Sequence, residues 1–191
     1  MKTAYLHTER FILRPYEDSD IPILHTWFND PEITYFMFTG QKPKTLDQVS
    51  KIMKHDVDEN NVIMMAVDKD SKEVFGLVGL YEIHDTAKKA EMRIIIGNKE
   101  YWGKGYGTEL SELINYYGFD RLNLHRIYLG FTAANEAAKR AYEKAGYVEE
   151  GILRDDIYRN SKYYNSIRMA ILRDEYYEKY YEDHKKRFFI K

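Results

Sequence analysis

The sequence predicts a single mixed α/β domain, and three observations lead to that prediction. Apolar residues alternate along the chain between helical and strand spacing, which is the pattern of a sheet covered by helices. The 191 residues include only 4 prolines and 11 glycines, and no linker-like segment divides the chain. We therefore expect one domain over residues 1–191. Since 44% of the residues are hydrophobic and 15% are aromatic, the chain can bury a sizeable core.

The N-terminal half predicts a strand, two helices and a hairpin. The first strand is expected at Arg10–Arg14. The first helix is expected after Asp18-Ser19-Asp20, whose side chains can cap it, and should stop before Asn29-Asp30-Pro31. A second helix is expected from Thr45, because Thr45 and Gln48 have the spacing of a capping box. Two β-rich runs separated by a polar turn predict a hairpin; they are Val62–Val67 and Val74–Ile83.

The second half alternates strand and helix before two late strands. One helix is expected to end near Gly118, and another to lie between Asn135 as N-cap and Gly146 as the residue after its C-terminus. Residues 173–191 are expected to form a C-terminal helix and tail, with an aromatic face packed on the domain or on a second subunit. The strands are predicted at Ala90–Ile96, Arg126–Phe131, Tyr147–Leu153 and Tyr163–Leu172, and the aromatic face comprises Tyr176, Tyr177, Tyr180 and Tyr181. The predicted order is β-α-α-β-β-β-α-β-α-β-β followed by the C-terminal helix.

Composition excludes several classes of function. The chain has no cysteine, which rules out a disulfide scaffold, thiolate zinc sites and a cysteine nucleophile. The formal net charge is −2, so we expect no nucleic-acid partner. No apolar run approaches the ~20 residues of a membrane span, and we expect a cytoplasmic protein without a membrane partner. The 6 histidines show no metal-ligand spacing, so no metal site is expected.

The segment YWGKGYGTE at Tyr101–Glu109 is the most informative one for function. It has glycines at alternate positions, follows an apolar strand and opens into a helix. Because glycine lets a ligand approach the backbone and a helix N-terminus presents unpaired N–H groups, the segment predicts an anion cradle for a phosphate or pyrophosphate. It fits neither the Walker pattern nor the dinucleotide G-x-G-x-x-G pattern. A ligand-free glycine-rich connection is the alternative.

A set of motifs in order resembles one known family. Strand AEMRIII, loop WGKGYGTE, a helix ending YGF, strand RIYLGF and the helix NEAAKRAYEKAGY are similar to the Gcn5-related N-acetyltransferases (GNAT). More narrowly they resemble the branch that contains ribosomal-protein alanine acetyltransferases and spermidine acetyltransferases. The resemblance covers about residues 8–175. It implies a mostly antiparallel central sheet flanked by helices, with acetyl-coenzyme A (acetyl-CoA) as co-substrate.

The resemblance also implies cofactor-binding residues. Asn135 would contact the cofactor and cap the helix that follows it. Trp102 departs from the family pattern, which usually has Gln or Arg at this position, although the W-G-K-G form is common in the branch named above. Backbone N–H groups would bind the pyrophosphate from Gly103, Lys104, Gly105, Tyr106, Gly107 and Thr108, and the pantetheine arm would pair with the main chain of Ile94, Ile95 and Ile96.

Two residues match the catalytic positions of the family. Glu91, the only carboxylate in AEMRIII, matches a position that often supplies the general base; the alternative is an exposed glutamate or one paired with Arg93. Tyr142 matches the tyrosine that protonates the leaving thiolate; the alternative is a core-packing tyrosine. With no cysteine and no Ser/His/Asp arrangement, direct transfer without an acyl-enzyme is expected.

The acceptor amine is left open by the sequence. Relatives that acetylate spermidine have an acidic pair after the first helix, whereas residues 35–42 contain no acid and include Lys42, which disfavours polyamines. Glu32, Asp155 and Asp156 remain as carboxylates that could attract a cation. We therefore expect a small amine such as an amino sugar, with a ribosomal-protein N-terminus or a polyamine as alternatives. A non-catalytic acyl-CoA sensor is the alternative from another class, and a homodimer is possible.

Overall fold

A computed structural model describes residues 4–188. The strands are β1 (Leu6–His7), β2 (Phe11–Pro15), β3 (Val62–Asp68), β4 (Val74–His84), β5 (Lys89–Ile96), β6 (Arg126–Thr132), β7 (Val148–Arg159) and β8 (Lys162–Leu172). The helices are α1 (Ile21–Asn29), α2 (Leu46–Asp56), α3 (Tyr106–Asp120), α4 (Glu136–Lys144), α5 (Arg173–Lys179) and α6 (Tyr181–Arg187), with 3-10 turns at Asp18–Asp20 and Lys99–Tyr101. Residues 189–191 of the expected C-terminal tail lie outside the described residues.

The strands form one 8-stranded sheet in the order β1-β2-β3-β4-β5-β6-β8-β7. All neighbouring strands are antiparallel except β5 and β6, which confirms the mostly antiparallel sheet expected from the resemblance. The parallel pair is short: it extends from Lys89 opposite Arg126 only to Glu91 opposite Tyr128. Beyond that point the two strands part, and we call the opening between residues 92–96 of β5 and 129–132 of β6 the strand fork.

Helices cover both faces of the sheet because successive strand residues point to opposite sides. Met64 of β3 belongs to the larger core, which includes the apolar face of α3, whereas its neighbour Met65 packs with α1 and α2. Both methionines are buried. The fork therefore opens between two helical layers.

Most of the expected elements are confirmed, including two end signals. Thr45 and Gln48 form the predicted capping box, with N···O distances of 3.2 and 2.8 Å. Gly146 follows α4 with φ of +95°, and its N–H donates to the Glu143 carbonyl. Both helix ends can be predicted from the sequence because a cap depends on residues that are close in the chain.

Several details of the structure differ from the prediction. Asp20 is the N-cap residue of α1, but its side chain makes no cap bond to that helix: it bonds the buried Arg14 at 2.6 Å and accepts the Glu17 N–H at 3.0 Å. α3 continues past Gly118, where a Cβ would lie 2.7 Å from Ile127, so this glycine allows close packing within the helix. β7 extends to Arg159 because β8 pairs with it to its end, and the C-terminal helix is two short helices that meet at Tyr180. The sequence analysis also did not anticipate the short strand β1.

Candidate active site

One side of α4 is left uncovered at the strand fork. No residue of α4 is fully buried, although its apolar residues Ala138 and Tyr142 pack partly against the larger core. A Cβ placed on Gly107 would lie 3.5 Å from Ile96 Cδ1 and 3.9 Å from Ala141 Cβ. The glycine loop, the end of β5 and α4 therefore meet at one place, as the cofactor prediction requires.

The glycine loop presents a run of free backbone donors. Gly103 and Gly105 have φ of +71° and +83°, in the left-handed region that favours glycine. The first backbone bond of α3 is from Glu109 N–H to the Gly105 carbonyl, at 3.1 Å. Within residues 4–188, none of the N–H groups from Gly103 to Thr108 donates to another group. Free N–H groups at a helix N-terminus are suited to an anion, and these residues fit the pyrophosphate of acetyl-CoA.

Aromatic side chains pack against the glycine loop and hold it in place. Phe75 of β4 stacks on Tyr101 with ring centroids 4.5 Å apart, and Tyr101 meets Tyr106 edge-on at 4.9 Å. The Tyr106 hydroxyl donates to Asp68 at 3.3 Å. Trp102, in the family's Gln/Arg position, donates its indole N–H to the Ile96 carbonyl at 2.8 Å. The loop is thus ordered by the protein's own contacts, and the Ile96 carbonyl already accepts one bond.

Glu91 lies where β5 and β6 make their last pair. Its partner on β6 is Tyr128, and its side chain is 16% exposed. Arg93 donates from Nε to Glu91 Oε2 at 2.8 Å and lies over the Tyr81 ring at 4.5 Å. The expected alternative of an Arg93 pair is therefore present. Because Arg93 bonds Oε2, Oε1 remains for an amine or a water.

Tyr142 packs by its ring and keeps its hydroxyl free. The ring lies 5.5 Å from Phe131 and 6.0 Å from Tyr147, both in edge-on geometry. Its hydroxyl has no hydrogen-bond partner in residues 4–188, whereas the Tyr147 hydroxyl donates to Asn115 at 2.6 Å. Burial raises the pKa of the Tyr142 phenol, so the group stays protonated at neutral pH. Packing and proton donation are thus compatible in this residue.

Asn135 caps α4 as expected, since its Oδ1 accepts the Ala138 N–H at 3.1 Å. The residue follows β6 at the open end of the fork. Its contact with the cofactor stays a prediction.

The sequence predicts no metal site. In the described part of the chain, no group of three or more His, Asp or Glu side chains could bind a metal ion. Among residues 4–188, no helix has the length and apolar character needed to cross a membrane.

The segment between α1 and α2 covers the sheet face that carries Glu91. The Thr132 hydroxyl donates to the Phe36 carbonyl at 2.7 Å, and Arg159 donates to the Met37 and Thr39 carbonyls. A cavity of about 330 Å³ lies beneath this segment. Its lining residues are Phe38, Gln41, Asp156, Ile157, Tyr158 and Arg168.

The carboxylates that could attract a cation are partly engaged in ion pairs and hydrogen bonds. Lys99 binds both Asp30, at 2.9 Å, and Glu32. Asp156 accepts a bond from Ser166, and its carboxylate lies 4.0 Å from Arg168. Glu32 therefore fixes local structure more than it attracts a substrate. Asp156 still faces the cavity.

Sequence reasoning missed Arg10. This residue precedes β2, yet its guanidinium contacts the Lys104 carbonyl and the Glu109 carboxylate of the glycine loop. The partners are 94 and 99 positions away in the chain. No local pattern signals such a contact, because it depends on how the first hairpin packs beside α3.

Comparisons with known proteins point to one family. A model of the acetyltransferase (GNAT) domain matches residues 10–148. The spermidine N(1)-acetyltransferases of Vibrio cholerae and Escherichia coli are 33% and 32% identical over 165 residues, which cover 86% of this chain and 94% and 87% of theirs. A crystal structure of spermidine N-acetyltransferase from Vibrio cholerae in complex with CoA and spermine has a TM-score of 0.79 and 34% identity, covering 87% of this chain and 98% of that one. These relatives favour the spermidine acetyltransferases over the ribosomal-protein enzymes within the branch the sequence resembles.

Proposed function

We propose, from the premise that this chain belongs to the GNAT family of acetyltransferases, that its acceptor is a polyamine of the spermidine class. As a member of that family the protein is an acetyl-CoA-dependent N-acetyltransferase, with acetyl-CoA as its co-substrate. The observation that carries the proposal is the similarity, over 86% of the chain, to two spermidine N(1)-acetyltransferases. The alternative acceptor from the sequence is therefore preferred to the amino sugar expected first.

The absence of an acid in residues 35–42 does not exclude a polyamine. A flexible polycation needs carboxylates and aromatic faces along its path, and these can come from the sheet. Glu91 lies at the fork, and Glu82 lies 3.5 Å from the same Arg93. Asp156 lines the cavity together with Phe38 and Tyr158. The carboxylates that support the proposal thus belong to strands of the sheet and lie outside residues 35–42.

The proposed chemistry divides between two residues. Acetyl-CoA supplies the acetyl thioester. As the amine nitrogen bonds to the acetyl carbon, Glu91 accepts the proton it loses, directly or through water. As the carbon–sulfur bond breaks, Tyr142 donates a proton to the sulfur and regains one from solvent. The proposed base, Glu91, lies on β5, and the proposed acid, Tyr142, lies on α4, the helix that follows β6.

An acceptor panel tests the proposed substrate. We expect thiol release from acetyl-CoA with spermidine to exceed that with glucosamine or an N-terminal alanine peptide by at least about tenfold in kcat/KM, because only the polyamine pairs more than one ammonium group with the carboxylates. A preference for the amino sugar or the peptide contradicts the proposal. Tight CoA binding with no thiol release for any amine identifies the non-catalytic sensor instead.

The role of Glu91 has a matched control in Glu82, since both carboxylates contact Arg93. Replacing Glu91→Gln removes the base and should lower kcat at least about tenfold. Glu82 is 69% exposed, so Glu82→Gln should keep kcat close to wild type and change only the KM of the polyamine. Equal effects of the two substitutions would show that Glu91 acts only through charge.

A further inference from the structure

We propose that Arg10 is a positioning residue for acetyl-CoA: it orients the glycine loop and neutralises a carboxylate beside the pyrophosphate site. The inference rests on the proposed role of the loop as the pyrophosphate site. Arg10 lies in the turn between β1 and β2, where the Thr8 hydroxyl accepts its backbone N–H at 3.1 Å. The side chain extends from this anchored turn to α3.

The guanidinium makes contacts of three kinds with the loop. Nη1 donates to the Lys104 carbonyl at 3.0 Å, and Nε donates to Glu109 Oε2 at 2.6 Å. Nη2 also donates to Glu109 Oε2, so two guanidinium nitrogens share this charged oxygen. The guanidinium carbon Cζ lies 4.0 Å from the centre of the Tyr106 ring. One side chain therefore joins the residues before and after the Gly105 turn.

The bond to the Lys104 carbonyl sets the direction of a donor. The peptide unit that joins Lys104 to Gly105 is planar and trans, so its C=O and N–H point in opposite directions. With the carbonyl directed to Arg10, the Gly105 N–H is directed away from it. Gly105 N–H is one of the free donors of the loop. Arg10 thus selects the orientation in which this donor can meet an anion.

The pair with Glu109 removes an electrostatic conflict. Glu109 lies in the first turn of α3, and its side chain is only 12% exposed. An unpaired carboxylate at this end of the helix would repel the pyrophosphate that the free N–H groups attract. Because Arg10 pairs with it, the field at the loop stays favourable for an anion.

Comparing two thioester substrates distinguishes an effect of Arg10 on pyrophosphate binding from a general loss of activity. S-acetylpantetheine has the reactive thioester but no pyrophosphate, so its use does not depend on the loop. In the Arg10→Gln variant we expect the Kd of CoA, measured by calorimetry, and the KM of acetyl-CoA to rise about tenfold with kcat little changed. The kcat/KM with S-acetylpantetheine should stay at the wild-type value. An equal loss with both thioesters, or no loss with acetyl-CoA, overturns the inference.

The double variant tests the electrostatic part. Glu109→Gln alone should bind CoA nearly as wild type, and Arg10→Gln with Glu109→Gln should recover most of the affinity that Arg10→Gln loses. If the double variant binds no better than Arg10→Gln, charge neutralisation is wrong. Arg187→Gln is the matched control, because Arg187 pairs at 2.8 Å with Glu112 of the same helix but away from the loop. Its CoA affinity should not change.

Further measurements distinguish failure of the Arg10 inference from misfolding of the variant and from failure of the loop as the pyrophosphate site. Arg10→Lys keeps the charge but replaces the three nitrogens that bond Glu109 and the Lys104 carbonyl by one, so a smaller rise in the Kd of CoA is expected. Unchanged affinity overturns the orienting role. This variant serves if Arg10→Gln does not fold. If wild-type enzyme uses acetyl-CoA no better than S-acetylpantetheine, the loop is not the pyrophosphate site. A polyamine that fails as acceptor affects neither binding measurement.

Discussion

Tyr142 and Tyr147 differ in what their hydroxyl groups do, although their rings are 6.0 Å apart. Tyr147 is 3% exposed, and its hydroxyl donates to the buried Asn115. Tyr142 packs against Phe131, but its hydroxyl bonds no other group in residues 4–188. A buried hydroxyl bond contributes to stability, whereas a free hydroxyl at a cleft is available to a ligand.

The two tyrosines predict opposite outcomes for the same substitution. Tyr142→Phe should lower kcat about tenfold or more, because it removes the proton donor, while leaving the free energy of unfolding nearly unchanged. Tyr147→Phe should lower that free energy by about 1–2 kcal/mol, because Asn115 loses a buried partner, with little change in kcat. Urea unfolding and steady-state rates measure the two effects. A stability loss without a rate loss in Tyr142→Phe would identify it as a packing residue.

Gly97 brings α1 to the end of β5. A Cβ on this glycine would lie 1.9 Å from the Trp27 ring, so the indole rests directly on the backbone. Trp27 is 3% exposed and belongs to the core beneath α1 and α2. Since Asn98 and the 3-10 turn Lys99–Tyr101 follow at once, this contact joins α1 to the segment that leads into the glycine loop.

Gly97→Ala should therefore be strongly destabilising. The indole is rigid and enclosed, so the methyl group can be accommodated only by moving α1, at a cost of about 3 kcal/mol in the free energy of unfolding. Gly151→Ala is the control, because a Cβ there meets no atom within 4 Å. Chemical denaturation of both variants measures the difference. Equal stabilities would mean that α1 moves freely on β5.

The sequence predicts helix and strand boundaries well where they depend on residues that are close in the chain. The capping box at Thr45 and Gln48 and the Gly146 signal join residues close in the chain, and both are confirmed. The end of β7 was predicted too early because its residues are exposed almost throughout, so strand pairing rather than burial continues it. Arg10 and Glu109 could not be paired from the sequence, since their contact exists only once the sheet has formed.

In the whole molecule, the C-terminal helices support the helix that begins at the glycine loop. Tyr176 of α5 stacks on Phe119 of α3 with centroids 4.7 Å apart, and Arg187 of α6 binds Glu112 of α3. The predicted aromatic face thus packs on the domain. His184 lies inside this arrangement: it is 1% exposed, and its Nδ1 lies 3.2 Å from the Tyr176 hydroxyl.

This burial predicts how stability depends on pH. Desolvation, reinforced by Arg187 and opposed by Asp183, lowers the pKa of His184 from 6.5 to about 4. Since the unfolded chain takes up this proton first, stability is full above pH 6.5 and falls as the pH drops to about 4. At about 1.4 kcal/mol for each pH unit, the loss reaches roughly 3 kcal/mol.

Urea unfolding between pH 4 and 7.5 should show this loss in the wild type and a shallower slope in His184→Gln, which has no group to protonate at that position. Burial also raises the pKa of Glu112, but this carboxylate is present in both proteins and its contribution cancels in the difference. His55→Gln is the matched control, since His55 is 89% exposed and should leave the slope unchanged. If His184→Gln keeps the full wild-type slope, the acid sensitivity arises from carboxylates, and the C-terminal helices tolerate a charged histidine.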